Sequence, residues 1–428
     1  MRPGDDSLGP LEHPLPAGMR DLLPDESRAL AQLGRRLARS FELHGYQRVT
    51  VPVFEYAAVL ERGLGALDPR EVLRFVEPES GEVVALRPDM TPQIARLVAT
   101  RLGSAVGPAR ISYEGSVVRL RRERARRHRQ IPQAGIELVG AASPQGDFEI
   151  LEVACRALRD AGLEHFVLDL GHARIAGALL EPVGEAERAG LVEALSQKDP
   201  HQLERRARAA ALAPELGRAL VGLAELHGGA DVWPRAHALL AGTAAQAGLT
   251  ELESVWRFAT ESGLAPEISV DLGEVRDLGY YTGVTFQIFA EGPGAAIGSG
   301  GRYDRLLEQF GAPRPAAGFA VALDHLSWAL GEKATPPAFR VLVSGEGSAL
   351  VLAALRSEGI ACATAPADAA GHARAWHYSH WVELGSDGAR LRRVADGFAE
   401  ELSTREPLAL ASHIASLAGM DPIRKERS

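Results

Sequence analysis

Residues Arg119–Gly140 read RLRRERARRHRQIPQAGIELVG. Two textures meet there. The first eleven residues, Arg119 to Arg129, hold seven arginines. From Ile131 to Val139 apolar residues dominate, and Arg110–Leu120 upstream has the β-branched and aromatic content of a strand. The pattern predicts two strands, Arg110–Leu120 and Ile131–Val139, around a cationic loop. Strand side chains alternate, so Gln133, Gly135 and Glu137 share one face. A glutamine beside a carboxylate suits a polar ligand, or else the solvent face of an edge strand. The arginines suit a phosphate clamp, or else a solvated hairpin tip.

Outward from this hairpin, Ser27–Leu43 places Leu30, Leu33, Leu37 and Phe41 at helical spacing, and Gly45 ends the helix. Tyr46–Val53 and Val83–Leu86 are short β-like runs, and Pro92–Leu102 reads as a helix. Phe148–Asp160 reads as a helix and Phe166–Leu170 as a strand. Residues 176–263 are rich in Ala, Leu, Glu and Arg with few β-branched clusters, the texture of a helical insertion. Strand patterns return at Glu267–Leu272, Thr282–Ala290 and Ala316–Ala322. Thr335-Pro336-Pro337 reads as a linker. Phe339–Val343, Ala349–Glu358 and Ile360–Ala363 then start a small βαβ-like unit, and Val394–Leu402 is expected to be helical. The expected organisation is a loose tail at 1–15, a core at 16–330 carrying the insertion, and a small C-terminal α/β domain at 339–428.

The chain has 428 residues, 46 % of them apolar and 6 % aromatic, enough for a large aliphatic core. Two cysteines, Cys155 and Cys362, give no disulfide framework and no Cys-rich zinc module. No apolar run approaches the ~18 residues of a membrane span, and the opening residues are acidic and rich in Pro and Gly, so a cytoplasmic address is expected. The net charge of −9 argues against general nucleic-acid binding, which needs a positive surface. Only Lys198, Lys333 and Lys425 are lysines, so arginine is the default cation here.

Three further segments carry chemistry. In Leu86-Arg87-Pro88-Asp89-Met90-Thr91-Pro92, prolines fix the backbone around an acid and a hydroxyl, which serve either a ligand or a helix cap. Val275–Gly283 brings Arg276, Tyr280 and Tyr281 together. Gly298–Gly301 reads as a tight glycine-rich turn ahead of Arg302, Tyr303 and Asp304, without the Gly-Lys-Ser/Thr of a Walker loop. The histidines show no metal-ligand spacing, and no metal or other cofactor is expected.

These segments, in this order, resemble the catalytic core of the histidyl-tRNA synthetase family, from about Pro16 to Leu330. Pro16–Pro24 resembles the family's opening segment, and Val51–Glu55 its dimer-forming first motif. Arg119–Gln133 matches the second motif, Arg276–Tyr281 and Gly300–Asp304 two histidine-specific segments, and Gly318-Phe319-Ala320 opens the third motif. The resemblance implies an α+β fold: a class II aminoacyl-tRNA synthetase-like antiparallel sheet flanked by helices. It also implies a histidine pocket. Asp89 stands where a glutamate holds the α-ammonium, with Thr91 and Gln133 beside it. Glu137, Tyr280, Tyr281 and Tyr303 surround the imidazole, and Arg276 faces the carboxylate. Arg119 and Arg129 are the candidate phosphate-binding residues.

Two departures bear on activity. The family's Phe-Arg-x-Glu reads Val118-Arg119-Leu120-Arg121 here, and His325 stands where an arginine meets the outer phosphates of ATP. Losing charge-assisted contacts to a reacting nucleotide costs several kcal/mol of transition-state stabilisation. A histidine pocket beside an altered nucleotide pocket resembles the non-charging paralogues that regulate ATP phosphoribosyltransferase at the first step of histidine biosynthesis. That resemblance implies no catalytic residues, feedback binding of L-histidine and activation of a short-form catalytic subunit. It further implies self-association as a homodimer within a hetero-oligomer, with no membrane and no tRNA partner. The second reading is an active histidyl-tRNA synthetase, and the third a free-standing amino-acid-binding module.

Overall fold

The computed structural model describes residues 15–63, 71–103, 106–120, 128–275, 280–331 and 339–419. The chain divides into two compact units, 1–331 and 332–428.

The first unit opens with α1 (Pro24–Leu43), which has Pro24 in its first turn and buries Leu30, Leu33, Leu37 and Phe41 along one stripe. Gly45, at φ +83°, reverses the chain into β1 (Gln47–Arg48). Next come β2 (Phe54–Tyr56), α2 (Ala57–Gly63), β3 (Arg74–Val76), β4 (Val83–Leu86) and α3 (Thr91–Arg101). The long hairpin follows as β5 (Ala109–Val118) and β6 (Gln130–Val139), then α4 (Gln145–Asp160) and β7 (Val167–His172). A helical stretch runs through α5 (Ala173–Leu180), α6 (Glu185–Ser196), α7 (Pro200–Ala209) and α8 (Pro214–Leu223). It continues past the short strand β8 (His227–Gly228) into α9 (Val232–Leu240) and α10 (Gln246–Glu261). The unit closes with β9 (Glu267–Asp271), β10 (Val284–Phe289), β11 (Gly298–Arg302), β12 (Ala316–Ala322) and α11 (Leu323–Leu330).

The main sheet runs β1-β5-β6-β12-β11-β10-β7-β9-β8 among the described residues. Every neighbouring pair from β5 across to β7 is antiparallel, while β1/β5 and β7/β9 are parallel. The fold is therefore α+β, an antiparallel sheet flanked by helices. Helices α1, α4 and α11 cover one face, through Leu33, Leu37, Leu151, Leu158 and Leu326, which pack with Ile136 and Leu138. Leu191, Leu203, Leu220 and Leu249, from the helical stretch, lie in that same apolar core. Strand β6 lies between β5 and β12, not at an edge, which buries both of its faces.

One expectation fails here. Gly298–Gly301 is strand β11, not a turn. A Cβ on Gly300 would stand 2.3 Å from the Gly318 carbonyl oxygen, and one on Gly298 2.8 Å from the Phe319 ring. The glycines serve close strand-to-strand packing, the other common reason for glycine in a strand.

A separate three-stranded antiparallel sheet, β2-β4-β3, stands apart from the main one. Phe54 and Phe75 meet edge to face on it at 5.6 Å. Val53, Phe54, Tyr56, Phe75, Val76 and Val83 are all exposed there.

The second unit comprises β13 (Arg340–Ser344), α12 (Ser348–Ser357), β14 (Ala361–Thr364), α13 (Ala369–Ala375), β15 (His380–Leu384), β16 (Ala389–Arg393), β17 (Ala399–Leu402) and α14 (Pro407–Gly419). Its sheet, β14-β13-β15-β16-β17, is parallel over its first three strands and antiparallel after. The helix expected at Val394–Leu402 is instead a turn and strand β17. Gly397 adopts φ +73°, and Asp396 Oδ1 accepts from the Phe398 amide, which closes a hairpin. Pairing of Ala399–Leu402 with Ala389–Arg392 overrides the helix propensity of Ala and Glu. No helix among the described residues is long and apolar enough to cross a membrane.

Candidate functional site

A cavity of about 320 Å³ opens on the main sheet over β6, β10, β11 and β12. Asp89 enters from the turn before α3 and Thr91 from its first residue, Arg119 from the end of the long hairpin, and Tyr280, Tyr281 and Tyr303 from the loops beside β10 and β11. Gln133 lines the cavity from β6. Glu137, two turns of the pleat further along, sits beneath it at 2 % exposure.

Glu137 is not itself among the lining residues, but it ties together three that are, Thr91, Tyr113 and Tyr303. Thr91 Oγ1 donates to its Oε1 at 2.6 Å and the Tyr113 hydroxyl at 3.3 Å, while the Tyr303 hydroxyl donates to Oε2. Burial pushes the Glu137 carboxyl well above its ordinary range, and the nearby Asp89 charge adds to the rise. Burial raises the Tyr113 and Tyr280 phenols in the same way. Tyr280 packs at 5.0 Å on Tyr281 and at 5.2 Å on Tyr303, giving one wall an aromatic face.

Asp89 is fixed by its own backbone. Its Oδ1 accepts from the Thr91 amide at 3.1 Å, an Asx turn that leads into α3. Thr91 does not cap that helix with its side chain but spends its hydroxyl on Glu137. Arg119 Nε donates to the Pro88 carbonyl at 2.7 Å, and its guanidinium lies 4.0 Å from Asp89. Ammonium, carboxylate and ring N–H groups of a small zwitterion thus find an acid, a guanidinium and acceptor oxygens within one cleft.

Asp89, Thr91, Arg119, Gln133, Tyr280, Tyr281 and Tyr303 all line the cavity. Arg129 lies outside that lining, with its side chain against Gly18 and its amide bonded to the Gly18 carbonyl at 2.8 Å. Arg276 and Arg121 lie outside the described residues. His325 is buried, its Nδ1 3.2 Å from the Ala296 carbonyl oxygen, and is not among the residues lining the cavity. Arg302, in the glycine-rich segment, points away and pairs with the buried Asp147 at 2.7 Å.

Sequence reading missed three groups. Tyr113 reaches Glu137 across Gly135, where a Cβ would lie 2.5 Å from the tyrosine ring. The glycine between Gln133 and Glu137 was its signal. Arg87 holds the Asp89 turn from behind, donating to the Ser116, Val51 and Pro52 carbonyls. Asp169, Asp271 and Glu274 form an acidic far wall with Gln287, from strands β7, β9 and β10 and the loop after β9. Single acids on separate strands leave no local motif.

An antiparallel sheet bearing a zwitterion-sized cleft at this place in the strand order defines a class II synthetase-like chain. The histidyl-tRNA synthetase family matches residues 18–326. A histidyl-tRNA synthetase from Nostoc sp. PCC 7120 shares the fold, with a TM-score of 0.76 at 20 % identity over 95 % of this chain and 100 % of that one. A solved Bacillus halodurans protein, described as an ATP phosphoribosyltransferase regulatory subunit/histidyl-tRNA synthetase, superposes with a TM-score of 0.77. It is 27 % identical over 88 % of this chain and 99 % of its own. The ATP phosphoribosyltransferase regulatory subunit of Anaeromyxobacter sp. (strain Fw109-5) is 47 % identical over 322 residues, 75 % of this chain and 94 % of that protein. That of Syntrophotalea carbinolica is 34 % identical over 92 % of this chain and 96 % of its own. This chain belongs to the ATP phosphoribosyltransferase regulatory subunit family, a non-catalytic branch of the histidyl-tRNA synthetase fold.

Proposed function

We propose that this chain binds free L-histidine in the cavity and, with the short-form catalytic subunit of ATP phosphoribosyltransferase, forms a cytoplasmic hetero-oligomer. In that assembly it activates the first step of histidine biosynthesis, and bound histidine shuts the activity down. It needs no cofactor and charges no tRNA. The observation that carries the reading is the buried Glu137 carboxyl, ringed by the Thr91, Tyr113 and Tyr303 hydroxyls and within reach of the Asp89 charge. Glu137 accepts the imidazole N–H, Asp89 takes the ammonium, Gln133 adds an amide, and Tyr280 and Tyr281 pack the ring. Arg276 pairs with the carboxylate, and Arg119, with Arg129 further out, meets phosphate or holds the hairpin. The exposed Val53, Phe54, Tyr56 and Phe75 supply the face on which a second copy docks.

Calorimetry with L-histidine tests the pocket. One-to-one binding is expected, weakened roughly tenfold by Glu137→Gln, since a buried hydrogen-bond partner to a polar ligand is worth ~1–3 kcal/mol. Histidinol, lacking the carboxylate, is expected to bind at least tenfold more weakly. No heat with histidine, or an unchanged dissociation constant in the variant, rejects the assignment. Mixing with a short-form catalytic subunit is expected to raise phosphoribosyl-ATP formation, and histidine to lower it.

A further inference from the structure

One buried guanidinium ties together the two loops that bring tyrosines to the cavity. Arg302 closes β11, and Tyr303 follows it. The Tyr303 hydroxyl donates to the Glu137 carboxyl, so the setting of Tyr303 decides how that carboxyl is held. Arg302 Nε donates to Asp147 Oδ1, in the first turn of α4, at 2.7 Å. Its Nη1 donates to Asp304 Oδ1 at 2.9 Å and to the Ala141 carbonyl at 3.2 Å. The same Asp304 oxygen accepts from the Ala316 amide at 3.0 Å, and the Tyr303 amide donates to the Ala316 carbonyl at 2.8 Å. The Thr282 amide donates to the Arg302 carbonyl at 2.7 Å, and the Asp304 amide donates to the Thr282 hydroxyl at 2.8 Å. Both neighbours of Tyr303 are thus pinned, and Thr282 directly follows Tyr280 and Tyr281 in the chain. A planar fork of five donors can fix several acceptors at once.

Packing and cost both mark this pair as more than filler. The Arg302 and Asp147 side chains are each 3 % exposed. Burial raises the Asp147 carboxyl above its ordinary range in spite of the guanidinium beside it. Arg302 Nη2 is buried without a hydrogen-bond partner among the described residues. A buried ion pair with an unused donor is a poor source of stability, and apolar side chains of similar volume often replace such pairs without loss. The fold nevertheless makes room for it. A Cβ on Gly283 would stand 3.0 Å from Arg302 Cδ, and one on Gly146 2.7 Å from its Nη2. Neither glycine has a positive φ, so each serves close approach and not backbone conformation.

We propose that Arg302 and Asp147 are positioning residues of the cleft, which hold the Tyr303 hydroxyl on Glu137 and keep Tyr280 packed against Tyr303. The proposal rests on the reading of the cavity as a histidine site. Arg302 and Asp147 are not among the residues that line the cavity, so they act through Tyr303 and not on the ligand. What they supply is the angle at which Tyr303 meets the carboxyl. Without the fork, Asp304 loses a donor on the oxygen that also takes the Ala316 amide. The segment from Arg302 to Asp304 then keeps only its remaining backbone and Thr282 bonds. Glu137 Oε2 loses a fixed donor, and with it the arrangement that presents the carboxyl to a ring N–H.

The test is a double-mutant cycle on the full chain, read by calorimetry with L-histidine. Tyr303→Phe alone is expected to weaken binding roughly tenfold, the worth of one hydrogen bond to a charged or polar partner. Arg302→Met with Asp147→Leu removes both charges. That chain is expected to melt no lower than the unaltered one, yet to bind histidine roughly tenfold more weakly. Adding Tyr303→Phe to it is expected to change the dissociation constant by less than about twofold, because the hydroxyl is already off its partner. Arg302→Lys carries the same cycle should the double variant not fold. It keeps a charge for Asp147 but has no planar fork to span Asp147, Asp304 and the Ala141 carbonyl at once. It too is expected to cost roughly tenfold and to erase the effect of Tyr303→Phe. Unchanged histidine affinity in these variants overturns the proposal and leaves the histidine site standing. So do losses that simply add, since a merely structural weakening leaves the tyrosine's contribution intact. Full affinity in Tyr303→Phe alone overturns it as well. Failure of the unaltered chain to bind histidine overturns the reading of the cavity, and the proposal with it.

Discussion

At the residue scale, the site turns on a carboxyl kept where a carboxylate is costly. Glu137 has its titration pushed well up by burial. A group whose folded-state pKa is raised binds its proton more tightly in the native than in the unfolded chain. Stability from this source is therefore complete below the unfolded carboxyl value, ~4.3, and is lost as pH rises through the folded one. Glu137→Gln removes that penalty. The ligand-free variant should melt higher than the parent at pH 7 to 8, on the order of 1 kcal/mol more stable, with the gap closing towards pH 4. Melting curves across that range decide it; a variant less stable at pH 8 would mean the carboxyl is held ionised at little cost. The same substitution that stabilises the empty chain weakens histidine binding, which is how a binding residue differs from a core one. Asp89, Gln133 and Glu137 were legible because their spacing and neighbours are local. Tyr113 and Arg87 were not, since one acts through a cross-strand pair and the other through carbonyls distant in sequence.

At the scale of elements, the sheet delivers those residues by leaving side chains out. Gly318, on β12 opposite Glu137, is the tightest case: a Cβ there would lie within 1.8 Å of Glu137 Oε2 and 2.7 Å of the Tyr303 hydroxyl. Gly318→Ala must displace the carboxyl or the strand. Overpacking of this kind costs ~1–3 kcal/mol, and histidine affinity should fall with it. Gly294→Ala, where the added methyl meets nothing within 4 Å but the backbone sits at φ +67°, should lower stability without touching affinity. Equal histidine affinity in Gly318→Ala and the parent, by calorimetry, would remove β12 from the site. A second join ties β7 to α10. The His172 ring accepts from the Arg174 amide at 3.2 Å through Nδ1, which leaves Nε2 to donate to Glu251 at 3.1 Å. That bond, helped by Arg174, holds the Glu251 carboxyl down at about 2. A depressed acid contributes stability above its unfolded value, lost as pH falls towards the folded one. Glu251→Gln should therefore melt lower than the parent at pH 7 and converge with it between about pH 4 and pH 2; a gap that persists at pH 2 would point to packing instead. The long strands and helices were legible from periodicity. Gly298–Gly301 and Val394–Leu402 were misread because glycine serves turns and crowded strands alike, and because tertiary pairing outweighed local propensity.

At the scale of the whole molecule, the question is why a cleft built on a synthetase fold does not run synthetase chemistry. Forming an aminoacyl-adenylate needs a triphosphate bent against fixed positive charge. Among the described lining residues the cavity offers one guanidinium, Arg119, against four carboxylates, Asp89, Asp169, Asp271 and Glu274. Arg119 is already engaged with the Pro88 carbonyl near Asp89. His325 does not line the cavity, and its Nδ1 lies against the Ala296 carbonyl instead. On the far wall Asp271 is paired with the Lys198 ammonium at 2.5 Å, so a polyanion entering this space meets like charge chiefly at Asp169 and Glu274, and each close like-charge contact in a partly desolvated site costs energy that water does not return. The purified chain should therefore show no histidine-dependent exchange of labelled pyrophosphate into ATP, even at histidine concentrations that saturate the pocket in calorimetry. Asp271→Asn with His325→Arg should still not restore exchange, because position 325 is buried behind Ala296 and is not part of the cavity lining. Adding the catalytic subunit should change none of this, while its own phosphoribosyl transfer should become responsive to histidine. Robust exchange by the chain alone would show that the far wall binds the triphosphate after all, and would reassign the acidic residues from excluding the nucleotide to holding its metal.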